Sequence, residues 1–200
     1  MARKVTISKE VILEAALKML IRDGYSSVNI KTLSKEIGCS TQPIVWHFEN
    51  MDGLRTALAD YAAEYAARKA ESSFDNKFES FEFLGKSYVN MALKEPNLFR
   101  FLYLGENPKG KLYNANDIGK GKNKELIFML SKQTGLNEAQ VTRFVRNTVI
   151  FSHGIATMVA TGVFKGTEKE IMDMINDAAD AFILKEGIDP KKIDNKEKKK

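Results

Sequence analysis

Residues 29–54 read NIKTLSKEIGCSTQPIVWHFENMDGL. Asn29 is a good N-cap, and Ile30, Leu33 and Ile37 follow at helical spacing, so the stretch opens as a short amphipathic helix over 30–37. Gly38 supplies the positive φ that a sharp turn needs, and Cys39 is a small apolar plug beneath it. Ser40 is placed to cap a further helix over 41–48, in which Ile44 and Phe48 share the inner face. Thr41, Gln42, Val45 and Trp46 are left outward, with His47 at the edge. Two short helices joined by a tight turn, the second with hydrogen-bonding side chains near its start, make a helix-turn-helix. Thr41 and Gln42 stand where side chains reach base edges. Ser40 and Asn29 stand at helix starts, where backbone N–H groups and the dipole favour a phosphate. The same pattern also serves a helical hairpin that does nothing but pack.

Working outward, Ser8 can cap a helix in which Ile12, Ala15, Ala16, Met19 and Leu20 fall on one face and which Gly24 ends. Asn50 opens a long alanine-rich helix to about residue 73. A helix over about 79–94 follows, then a short one begun by Pro96 in the first turn. The glycine- and asparagine-rich segment 105–124 reads as a loop. Further helices are expected over 122–134, from a cap at Asn137 to about 161, and from a cap at Thr167 to about 186. No alternating pattern with β-branched enrichment persists, so the fold class is all-α with about nine helices. The expected organisation is a helix-turn-helix domain over 1–50, a larger helical domain over 51–187, and a disordered lysine-rich tail over 188–200.

Composition narrows the function classes. Of 200 residues, 44% are hydrophobic and 28% charged, ordinary for a globular protein. There is no run of eighteen apolar residues and no apolar signal core near the N-terminus, so neither a membrane span nor a signal peptide is expected. Cys39 is the single cysteine, which excludes an intramolecular disulfide and suits a reducing cytoplasm. The net charge of +5 and pI of about 9.1 hint at polyanions. Yet residues 1–60 hold eight Lys or Arg against seven Asp or Glu, while the chain from Lys185 onward carries +3, so the excess is mostly in the tail. His47 and His153 are far apart, Cys39 has no arranged base, and no glycine-rich phosphate loop follows a strand. No enzyme activity, metal or cofactor is expected.

The stretch that opened the reading resembles the DNA-binding motif of the tetracycline-repressor (TetR) family: Leu33-Ser34, Gly38-Cys39-Ser40, Ile44, His47 and Phe48 all match, as does the helix from Ile12. The resemblance implies a homodimeric, ligand-responsive regulator, most often a repressor, with the helix over 41–48 in a major groove. It places DNA contacts at Asn29, Ser40, Thr41, Gln42, Pro43, Trp46 and His47, with Arg3 and Lys4 as an arm. Three departures stand out. Val45 replaces the family's usual Tyr and Met51 its usual Lys, both phosphate contacts. Gln42-Pro43 replaces a more usual Gly-Thr, with Pro43 stiffening the first turn. Gln42 is expected at a base edge, adenine by preference. Trp46 is expected against the DNA backbone, its indole N–H on a phosphate, with His47 donating to a neighbouring one. The alternative folds Trp46 back as a lid on the small core.

The larger part is expected to bind an effector and to dimerise. Phe151 to Gly162, FSHGIATMVATG, resembles a subgroup marked by Trp-His-Gly, with Ser152 in place of the Trp. Gly154, Ala156, Ala160 and Gly162 keep that helix thin, which suits close packing against a symmetry mate. Phe151, Gly154, Ile155 and Met158 on this helix, with Ile171, Met174, Ile175, Ala178 and Phe182 on the last, are the candidate dimer face. Packing within the chain is the competing use. Candidate pocket residues are Leu84, Tyr88, Met91, Phe99, Leu102 and Tyr103, then Phe128, Met129, Phe151 and Met158, an aromatic and sulfur-rich lining suited to apolar ligands or to plain core. A helical ligand-binding or protein-interaction protein without operator binding remains the other reading.

Overall fold

The computed structural model describes the backbone of residues 7–71, 80–108 and 123–190 and the side chains of 7–69, 85–108 and 124–190. Arg3 and Lys4, the side chain of Leu84 and residues 191–200 of the tail lie outside these. Among the described residues the chain is all-α: α1 (Lys9–Asp23), α2 (Ile30–Ile37), α3 (Gln42–Phe48), α4 (Met51–Glu71), α5 (Ser80–Lys94), α6 (Pro96–Tyr103), α7 (Asn123–Thr134), α8 (Glu138–Ala160) and α9 (Glu168–Lys185). Two compact units divide after Leu112, the first with α1–α6 and the second with α7–α9.

In the first unit, α1 is the central post. Ser8 caps it by accepting from the Val11 N–H, and Gly24, at φ 87°, ends it. Ile12, Leu13, Ala16, Leu17, Met19 and Leu20 are buried along it. They pack with Leu33 of α2, Ile44 and Phe48 of α3, Leu54, Leu58 and Ala62 of α4, and Leu98, Phe101 and Leu102 of α6 in one core. Packing therefore does not divide at residue 50: α4 packs against both α1 and α3, and α6 against α1 and α4. Asn97 of α6 adds a polar tie, its Nδ2 donating to the Ile21 carbonyl (2.9 Å) at the last turn of α1.

The turns obey local chemistry. Asn29 and Thr32 form a capping box on α2, and the Thr32 hydroxyl also donates to the Ser27 carbonyl. Gly38 is left-handed (φ 75°, ψ 36°), and the Cys39 N–H closes the turn on the Ser34 carbonyl at 2.9 Å. The start of α3 departs from expectation. Thr41, not Ser40, is the cap residue, and it makes no side-chain cap bond. Pro43 removes one of the first-turn N–H groups that a capping hydroxyl could accept from.

Between α3 and α4 the chain reverses at Glu49 (φ 64°, ψ −54°), where the Asn50 N–H donates to the Phe48 carbonyl at 2.7 Å. This is the uncommon γ-turn, which stores of the order of 1–3 kcal/mol of backbone strain. Asn50 then caps α4, its Oδ1 accepting from Asp52 and Gly53 N–H groups. Gly53 is needed because a Cβ there would stand 2.1 Å from the Phe48 carbonyl oxygen.

In the second unit Asn137 and Thr167 each form a capping box, with Gln140 and Glu170. α8 and α9 pack antiparallel, since Arg143 near the start of α8 forks onto Glu186 at the end of α9, with Nη2 to Oε2 at 2.7 Å.

Two outcomes test this description. Gly53→Ala should lower the thermal midpoint by the equivalent of about 1–3 kcal/mol, because overpacking outweighs the gain in helix propensity. Gly85→Ala, in α5 with nothing within 4 Å of its Cβ position, should raise it by up to about 1 kcal/mol. A drop of equal size in both would remove the special role of Gly53. The second outcome concerns Arg22, which donates to Asp23 and to Glu36, tying α1 to α2 and holding both carboxyls below their ordinary range. A depressed carboxylate stabilises above its unfolded pKa and loses that contribution as pH falls through its folded one. Arg22→Gln should therefore melt slightly earlier than the parent at neutral pH and together with it in strong acid, which melts across a pH series would read.

Candidate nucleic-acid interface

A helix of only seven residues has one buried side, and α3 spends it on two residues. Ile44 is fully buried and Phe48 is 5% exposed. At about 100° per residue, the bearing opposite their midpoint falls on Trp46, with Gln42 about 40° away. Val45 and His47 lie on the two flanks. Exposure follows this wheel: Trp46 is 73% exposed, Val45 43%, and Thr41 and Gln42 are open as well. Trp46 is thus no lid on the core. It stands at the centre of the free face, with Gln42 one turn before it, while Pro43 is half-buried and Ser40 exposed.

His47 is half-buried, with Nε2 2.8 Å from the Ile7 carbonyl. A carbonyl only accepts, so Nε2 carries the hydrogen, and a neutral ring presents Nδ1 as an acceptor. The donor expected to reach a phosphate is instead engaged on the backbone just before α1. The Trp46 and His47 ring centroids are 4.8 Å apart, so the anchored imidazole props the indole.

Two of the three departures from the family pattern have physical readings. Met51 is half-buried and packs against the head core, so it adds apolar contact where a lysine would add charge. Val45 is exposed but has no hydrogen-bonding atom for a phosphate. At the start of α2 the Asn29 Oδ1 accepts from Lys31 and Thr32, which occupies helix-start N–H groups and leaves the Asn29 amide donors turned elsewhere. Lys31 and Lys35 are exposed on α2 beside it, cations that the motif did not single out. Their signal in the sequence was position: both lie outside the Ile30, Leu33, Ile37 stripe.

Elsewhere the expected residues separate. In the first unit Tyr88, Phe99 and Tyr103 converge, with ring centroids 4.9–5.1 Å apart. Phe99 and Leu102 are buried, Met91 is half-buried against the head core, and burial pushes the Tyr103 phenol up from its ordinary range. In the second unit Phe128, Met129 and Met158 are exposed, and Phe151 meets Phe182 edge-on at 6.3 Å. Three residues of the expected dimer face are corrected: Ile155, Ile171 and Ile175 are buried within their own chain, at 8%, 0% and 5% exposure. Three-four spacing alone does not distinguish such an inner face from an outer one. Gly154, Met158 and Met174 are exposed, and Ala178 and Phe182 half-buried.

A family model for bacterial regulatory proteins of the tetR family matches residues 12–58, which run from the first turn of α1 into the second turn of α4. A search of curated proteins found no match. The matched span lies within the first unit, whose core holds α3 in place. That head is thus similar to the DNA-binding domain of tetR-family bacterial regulatory proteins, with α2 and α3 as its helix-turn-helix, and supports a DNA-binding transcriptional regulator.

Proposed function

We propose that the chain is a cytoplasmic repressor that binds a pseudo-palindromic operator as a homodimer and is released by a small, largely apolar effector. The observation that carries the operator reading is the free face of α3, with Gln42 and Trp46 exposed opposite the buried Ile44 and Phe48. Two heads would set α3 into successive major grooves about 34–36 Å apart. Thr41, Gln42 and Pro43 would lie at the groove end of α3. Asn29 and Ser40, with the arm residues Arg3 and Lys4, would serve the backbone.

The homodimer reading is supported by apolar surface left on the second unit. Ile150, Gly154 and Met158 form a row at four-residue spacing on α8, and Met174 and Leu184 are exposed on α9. An exposed apolar row on α8 beside exposed apolar residues on α9 suits an isologous contact. The effector reading rests on the Tyr88, Phe99 and Tyr103 cluster, two of whose rings stand on α6. α6 also holds Asn97, bonded to the end of α1. An effector preferring a shifted α6 would pull on the post that supports α3, and release would follow from its differential affinity for the two states.

The alternative, a helical binding protein with a head kept as scaffold, is favoured by Val45 and Met51, which leave the head short of phosphate contacts. A gel shift with the protein's own upstream region separates the two. Operator binding should weaken steeply and linearly with log salt. Gln42→Ala should cost about 1–3 kcal/mol on the preferred site and little on random duplex; equal losses on both would make Gln42 a nonspecific contact. Met158→Glu should yield folded monomers by light scattering, since a charge would enter an apolar contact. An intact dimer would move the interface off α8.

A further inference from the structure

We infer that Trp46 is a specificity-determining residue that reads the 5-methyl group of a thymine on the floor of the major groove, and not a contact to the DNA backbone. The inference rests on the reading that α3 enters that groove. With Ile44 and Phe48 against the core, side chains on the flanks of α3 face the groove walls, where the phosphates are, and side chains on the opposite bearing face the base edges. Trp46 occupies that bearing, and Gln42 stands beside it one turn earlier. The rise between them is about 6 Å along the helix, so the two side chains would meet base pairs one or two steps apart.

The chemistry of indole then chooses the base. The ring offers a broad apolar surface and a single N–H donor, with no acceptor. In the major groove only the A·T pair presents an apolar group, the thymine methyl, flanked by acceptors that the N–H can use. Over a G·C pair the same ring would cover donor and acceptor edges and leave them unpaired, which is costly. An exposed side chain usually loses entropy when it is fixed on a ligand. Here the ring already leans on His47, and His47 is hydrogen-bonded to the Ile7 carbonyl, so part of that ordering exists before DNA arrives. His47 is on this view a positioning residue for Trp46.

The test selects tight-binding duplexes from a random pool with the full-length protein, then replaces each thymine of the enriched site by deoxyuridine, which removes only the methyl. At one position in each half-site the wild type should lose about fourfold in affinity, equivalent to about 0.8 kcal/mol for a buried methyl-sized group. Trp46→Ala should bind the enriched site more weakly, bind random duplex almost as well as wild type, and be indifferent to deoxyuridine at that position. Trp46→Phe, which keeps a ring, should retain most of the methyl sensitivity. Since Trp46 is 73% exposed, the thermal midpoint should hold in both. His47→Ala should shrink the methyl effect while leaving the preference assigned to Gln42; an unchanged methyl effect overturns its positioning role. Equal weakening of enriched and random duplex by Trp46→Ala, or an equal deoxyuridine penalty in wild type and Trp46→Ala, overturns the base-edge assignment. Salt-dependent binding without an enriched sequence overturns it too but leaves DNA binding standing, whereas no binding to any duplex overturns the operator reading itself.

Discussion

The burial of Ile44 and Phe48 is the interaction on which the head depends. A helix of seven residues has almost no stability of its own, because nucleation is costly and few hydrogen bonds follow it. α3 also lacks a side-chain cap, since Pro43 removes a donor from its first turn. What holds it is the apolar floor made by α1, α2, α4 and α6. With two of its seven side chains inward and the helix axis thereby set, the bearings of the others follow. The exposed face of α3 is the complement of the face given to the core.

That dependence explains why the junctions around α3 are so constrained. On one side Gly38 and the Cys39 N–H set the angle between α2 and α3. On the other, Glu49 takes a γ-turn conformation and Gly53 allows the Phe48 carbonyl to lie against the first turn of α4. A strained turn persists only where its surroundings over-determine it, and the core on both sides of this one does so. Motion of α4 would therefore reach α3 with little slack.

Charge has a smaller part than the pI suggests. Arg22 is engaged with Asp23 and Glu36, and Arg55 pairs with Asp52 beside the Tyr25 ring. Val45 and Met51 add no charge to the head, and Trp46 leaves a large indole exposed on α3.

Much of this was legible in the sequence. Ser8, Asn29, Asn137 and Thr167 cap helices as their types and positions imply, and Gly24, Gly38 and Gly135 adopt positive φ at helix ends. Caps and glycine turns are decided within a few residues, so local sequence determines them. The outward set of α3 was legible for the same reason, because one turn of periodicity separates Ile44 and Phe48 from Gln42 and Trp46. Thr41 takes the cap position expected of Ser40. Tertiary structure alone decided the rest. Whether Ile155, Ile171 and Ile175 face a partner or their own chain depends on how α8 and α9 are rotated against each other. His47 loses its free donor to Ile7, forty residues away in sequence. Met51 packs against the head core. Each is a contact between segments distant in the chain, and no spacing within one segment encodes its neighbour.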